Sequence, residues 1–61
     1  MTKVRKFYHE YDRTEFSWAV VQEDAGHEHG QWYDSVMFYC VTEQDAIDAI
    51  ELLIELQQGT H

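Results

Sequence analysis

Hydrophobic and polar positions along this chain change period once, and that change divides it into a β-rich part and a helical part. Lys3 to Tyr11 carries Val4, Phe7, Tyr8 and Tyr11 and reads as a first strand. Asp12-Arg13-Thr14 is a polar break. Phe16, Trp18 and Val20 then alternate with Glu15, Ser17 and Ala19, the period of two expected of a half-buried strand. The polar stretch from Glu23 to Gly30 holds two glycines and reads as a loop between antiparallel strands. Gln31 to Val41, with Trp32, Tyr33, Val36, Phe38, Tyr39 and Val41, reads as a third strand.

The period changes at Thr42, a good N-cap followed by Glu43, Gln44 and Asp45. Acidic groups there meet the orphan amides and the positive end of the helix dipole. The helix is expected to run to about Gln57 and to end at Gly59. The predicted fold is α+β: a three-stranded antiparallel β-meander with one C-terminal helix packed on one face, βββα, as a single domain over residues 1–61.

Projected at 100° per residue, Ala46, Ile47, Ala49, Ile50, Leu53 and Ile54 form the face that meets the sheet, and Asp48, Glu51 and Glu55 form a stripe opposite. Leu52 and Leu56 stretch the apolar arc to roughly 220°, where a surface helix needs only about 100°. One helix covers one sheet face. Phe16, Trp18, Val20, Val36, Phe38 and Cys40 are assigned to the covered face. Tyr33, Met37 and Tyr39 are assigned to the open one, joined by a tyrosine of the first strand, unless a bulge near Asp34 breaks the alternation.

Charge changes the picture most. Twelve acidic residues face four basic ones, giving a net charge of −8. Lys3, Arg5, Lys6 and Arg13 are the only basic residues; from Thr14 to His61 there are ten Asp or Glu and no Lys or Arg. Such a field repels nucleic acid and anionic membranes and attracts cationic protein surfaces. The bland alternative is that acidity only keeps a small domain in solution. No apolar run is long enough to cross a membrane, and no signal-peptide core follows the N-terminal basic residues, so a cytoplasmic location is expected. A lone Cys40 in an apolar run reads as a small core residue.

Catalytic and metal chemistry find little support. His27-Glu28-His29 places two imidazoles at i and i+2, but no second ligand pair stands at zinc spacing, so no metal and no cofactor is assigned. Ser17 and Ser35 have no nucleophile motif around them, and the many carboxylates lack a cleft that would separate their pKa values. The expected role is a non-enzymatic binding module. Its partner is expected to be a basic nucleic-acid-binding protein met by Glu43, Asp45, Asp48, Glu51 and Glu55 of the helix. Glu23, Asp24 and Glu28 of the loop, with Tyr33, Tyr39 and Leu52 as anchors, complete the expected site.

The short single domain, the lone Cys40 and the Lys/Arg-free stretch ending in TEQDAIDAIELLIEL resemble the small acidic proteins that phages and mobile elements use against host defence. Anti-CRISPR proteins and anti-restriction DNA mimics belong to that class. The resemblance implies inhibition of a nuclease or CRISPR effector by carboxylates standing where phosphates lie. Two alternatives stay open: a homodimeric interaction domain joined through Leu52, Leu56 and the open-face tyrosines, and a small metal-binding protein using His27 and His29.

Overall fold

The computed structural model describes residues 4–59. Its element order is β1 (Phe7–Asp12), β2 (Ser17–Glu28), β3 (Gln31–Cys40) and α1 (Glu43–Gln58). The strands form one antiparallel sheet in the order β1-β2-β3 with the helix after it, so the βββα arrangement stands. Lys3, where the pattern started the first strand, lies outside the described residues, and pairing begins only at Phe7.

β2 is central because short connections pair it with β1 on one side and with β3 on the other. Within it Ala19, Val20 and Val21 are buried, and Ala46 of the helix is the fourth member of the core. Cross-strand register assigns the two sides. Tyr11 and Cys40 flank Trp18, and His9 and Phe38 flank Val20; on the other face Glu10 and Tyr39 flank Ala19, and Tyr8 and Val36 flank Val21.

The helix lies on the Val20 side and runs antiparallel to β1. Near its start, His9 Nε2 sits 3.2 Å from Glu43 Oε2. Near its end, the Arg5 N–H donates to Gln57 Oε1 at 2.7 Å, and Gln57 Nε2 donates to the Arg5 carbonyl at 3.1 Å. One glutamine thus mimics a strand partner and fastens the helix to the segment before β1. Thr42 is extended (φ −118°, ψ 157°), and its hydroxyl accepts the Asp45 N–H at 3.1 Å, the N-cap the sequence called for. Ala46, Ile47, Ala49, Ile50 and Leu53 face the sheet with Gln57, while Leu52 and Leu56 are exposed.

Three expectations need correction. Phe16 is not a strand residue: it ends the β1–β2 turn at φ 53° and is 79% exposed. Asp12 builds that turn, its Oδ1 accepting the N–H groups of Thr14 and Glu15, which leaves position 16 in the left-handed region. The stretch from Glu23 to Gly30 is not a loop. β2 continues to Glu28, and the connection is the two residues His29 (φ 50°) and Gly30 (φ 79°), the type I′ geometry that matches strand twist. Finally, Val36 does not face the helix. Register slips by one residue at Met37, so Val36 stands opposite Val21 on the open face.

A second irregularity sets Glu23, Asp24 and Ala25 against Asp34 alone, with Asp24 at φ 49°, as a bulge near Asp34 requires. Beyond it the hairpin runs on as a two-stranded arm. Gly26 lies under the Tyr33 ring, where a Cβ would overlap Cζ and Oη, and His27 packs on Trp32 at a centroid distance of 4.8 Å.

Candidate functional site

The side of the sheet away from the helix is built by the alternation within β1, where Tyr8, Glu10 and Asp12 face opposite to Phe7, His9 and Tyr11. Outer strands of a three-stranded sheet stand about 10 Å apart. A tyrosine meeting an aspartate spans that distance only if the central side chains are small, and Ala19 and Val21 are. Tyr8 of β1 reaches over β2 to donate to Asp34 Oδ2 of β3 at 2.8 Å. Tyr39 of β3 reaches the other way to Asp12 Oδ2 of β1 at 3.2 Å. The two phenols cross the sheet in opposite directions and roof the buried pair beneath them.

Each aspartate is held by more than its tyrosine. Asp34 Oδ1 accepts the Asp24 N–H at 3.0 Å, which stabilises the left-handed residue of the bulge. The Asp24 amide, ahead of the Tyr8 hydroxyl, holds the Asp34 carboxyl below its ordinary value. The Thr14 hydroxyl, then the Thr14 and Glu15 amides and Tyr39, do the same for Asp12. The phenols move the other way. The hydrogen bond to Asp34, burial, and the charges of Asp34, Glu10 and Glu23 push Tyr8 up to about 12. Burial raises Tyr39 first, followed by the Asp12 charge and hydrogen bond and the charges of Glu15 and Glu10. Five carboxylates therefore act on one pair of phenols: Glu10, Asp12, Glu15, Glu23 and Asp34.

Among the described residues no Lys or Arg forms an ion pair with them; Lys6, whose carbonyl accepts the Glu23 N–H at 2.9 Å, flanks the face just before β1. β1, β2, β3 and α1 contain no Lys or Arg. The one contact at ion-pair distance among the described residues sets the His9 imidazole against Glu43, on the opposite side of the sheet. Val36 (44% exposed) and Met37 (43%) complete the open face as its apolar part.

The residues expected to form one partner-binding set divide between surfaces. Glu51 and Glu55 are exposed on the outer ridge of α1, and there Asp48 accepts a hydrogen bond from Gln44 Nε2. Asp45 is exposed in the first turn, and Glu43 is engaged by His9. Glu23 and Asp24 lie at the bulge, and Glu28 lies at the tip of the hairpin arm. Of the expected anchors, only Tyr39 sits on the carboxylate-rich face; Tyr33 lies on Gly26, and Leu52 flanks the helix. Tyr8, Glu10, Asp12 and Asp34 were missed. Their signal was in the sequence, since Tyr8, Glu10 and Asp12 share one parity.

A cleft of ≈ 500 Å³ opens between the segment before β1 and the end of the helix, lined by Val4, Phe7 and Ile54 with Lys6, Glu23 and Gln57. Its lining carries one carboxylate, Glu23, and the cationic side chains of Arg5 and Lys6, with no Ser, Cys or His. His27 and His29 do not share a strand face, because His29 belongs to the turn. Among the described residues no three His, Cys, Asp or Glu side chains are placed to hold a metal ion. No helix of the described residues is long and apolar enough to cross a membrane. Comparison with family models, with curated proteins and with solved structures finds no match.

Proposed function

We propose that this chain is a non-enzymatic protein-binding module that blocks a basic nucleic-acid-handling protein, and that the open sheet face rather than the helix ridge makes the decisive contact. The observation that carries this reading is the fixed acid–tyrosine lattice: carboxylates held in place by Tyr8, Tyr39 and backbone amides, with no Lys or Arg in any element. Carboxylates already oriented lose little freedom on meeting a cationic surface, and the neighbouring aromatic rings supply the anchor contacts that dominate binding energy.

Charge density favours one kind of mimicry over another. A net charge of −8 along a longest dimension of 37 Å is one charge per about 4.6 Å. Duplex DNA carries about one per 1.7 Å and a single strand about one per 3.4 Å of axis. The chain is nearer the single strand, whose protein partners combine a cationic groove with aromatic stacking. Tyr8 and Tyr39 then stand where bases stack, and Glu10, Asp12 and Asp34 where phosphates lie.

The test is affinity capture from a cell lysate with the unmodified chain and two charge-reversed variants, followed by mass spectrometry and a nucleic-acid displacement assay on what is captured. The proposal expects a basic nucleic-acid-binding protein whose capture is lost with Glu10→Lys/Glu15→Lys and kept with Asp48→Lys/Glu51→Lys. Association is expected to slow as salt rises. Capture that is indifferent to Glu10 and Glu15, or a captured protein that keeps its nucleic acid, refutes it.

A further inference from the structure

β3 is an unprotected edge. It is ten residues long, contains no Lys and no Pro, and every residue but Cys40 is exposed. Natural sheets blunt such edges with charge, proline, a covering segment or a bulge, because the outer row of N–H and C=O groups otherwise recruits another strand. β3 has only the bulge at Met37 and one charge, Asp34, which is occupied by Tyr8 and the Asp24 amide. Its side chains are apolar on both faces: Tyr33, Val36, Met37, Phe38 and Tyr39 are all between 38% and 49% exposed. The helix does not shelter this edge. Glu43 turns toward His9 of β1, and Leu52, nine residues or half a revolution further on, is 56% exposed on the flank away from β1.

The total exposed area leaves room for an interface. A folded monomer of 7.3 kDa is expected to expose about 4,200 Å². This chain exposes 5071 Å², and the excess of about 900 Å² matches the ~800 Å² each partner gives to a standard interface.

We infer that β3 pairs antiparallel with β3 of a second copy about a two-fold axis, joining two sheets into one of six strands and covering Val36, Met37 and Phe38 with Leu52 at the rim. A second copy is the fitting occupant because an edge strand with one charge is self-complementary. Asp34 meets its own counterpart only in the single register centred on it, so every other register avoids like charges across the pair. The repulsion between two chains of charge −8 lies elsewhere on the molecule and is screened by salt. The pairing is independent of the partner proposed above, and the joined sheet sets two carboxylate faces side by side.

Sedimentation velocity of the full chain over a range of micromolar concentrations tests this. The expected result is a species of twice 7.3 kDa that tightens as salt rises from about 0.1 M to about 1 M, where the Debye length falls from about 10 Å to about 3 Å. Capture of a cationic partner weakens over the same range, so either idea can fail alone. Val36→Lys/Met37→Lys is expected to sediment as a monomer. Hydrogen exchange of the unmodified chain reads the same edge without relying on a variant: amide protection along β3 is expected to rise with protein concentration. A monomer at every concentration, a species that grows past two copies, or a dimer whose β3 amides show no concentration dependence overturns the inference.

Discussion

Val20→Ala probes the centre of the fold. Val20 has no exposed surface and stands between His9 of β1 and Phe38 of β3, on the face covered by the helix residue Ala46, itself fully buried. Removing the two methyl groups forfeits about 0.8 kcal/mol each in transfer free energy, or about 1.6 kcal/mol together. A residual void of about 50 Å³ adds about 1 kcal/mol at 24 cal/mol per Å³ if the site does not collapse. The total of about 2–3 kcal/mol is large against the roughly 3–9 kcal/mol expected of 61 residues. For a domain this small each kcal/mol moves the midpoint by about 4–8 °C, so a fall of about 10–20 °C is expected. The assay is thermal unfolding followed by circular dichroism at one fixed protein concentration, since association shifts the midpoint. Val41→Ala, at a site 83% exposed and outside the β3 edge patch, is the control and should cost far less. A fall under about 4 °C for Val20→Ala, or equal falls for the two variants, refutes the reasoning that a four-residue core centred on Val20 carries the fold.

Two further outcomes follow from the sheet. Gly26→Ala is expected to drive the Tyr33 ring off the backbone it covers, because the added methyl overlaps that ring. Faster amide exchange in the hairpin arm with the β1–β2 pairing intact is the readout, and unchanged exchange in the arm contradicts the packing. pH tests the crossed tyrosines. The Tyr8 phenol is raised from 10.0 to about 12, so its contribution to stability is complete below pH 10 and is lost as pH climbs to about 12. Asp12 and Asp34 are lowered from 3.8, so their contribution is present above pH 3.8 and is lost as pH falls below it. Spectrophotometric titration should show late-ionising phenols, and Asp34→Ala should return the Tyr8 ionisation toward pH 10 while leaving Tyr39 raised; a titration unchanged by Asp34→Ala shows that the bond to Asp34 is not the cause.

The hairpin arm escaped the sequence pattern for a definite reason. Alternation is legible only where one face of a strand is dry, and Ala25 to Glu28 has no helix or third strand against it. Phe16 misled in the opposite sense. Its spacing from Trp18 and Val20 is that of a strand, but hydrogen bonds from Thr14 and Glu15 to Asp12 close the turn so that the next left-handed position falls on it. The residues of the candidate site were harder still. Glu10, Asp12 and Asp34 look like ordinary surface acids until the register shows that β1 and β3 exchange tyrosines across β2.

Local chemistry, readable from the order of residues alone, determined the helix and its cap at Thr42, the three strands, the burial of Val20 and the one-signed charge of everything after Arg13. These depend on neighbours a few positions apart. The tertiary structure decided which carboxylates share a surface, which side Val36 faces and which edge is left open, because each depends on pairing between residues up to 27 positions apart, as Tyr39 and Asp12 are. A single-residue slip at Met37 moves a side chain through the sheet, and no local preference records it.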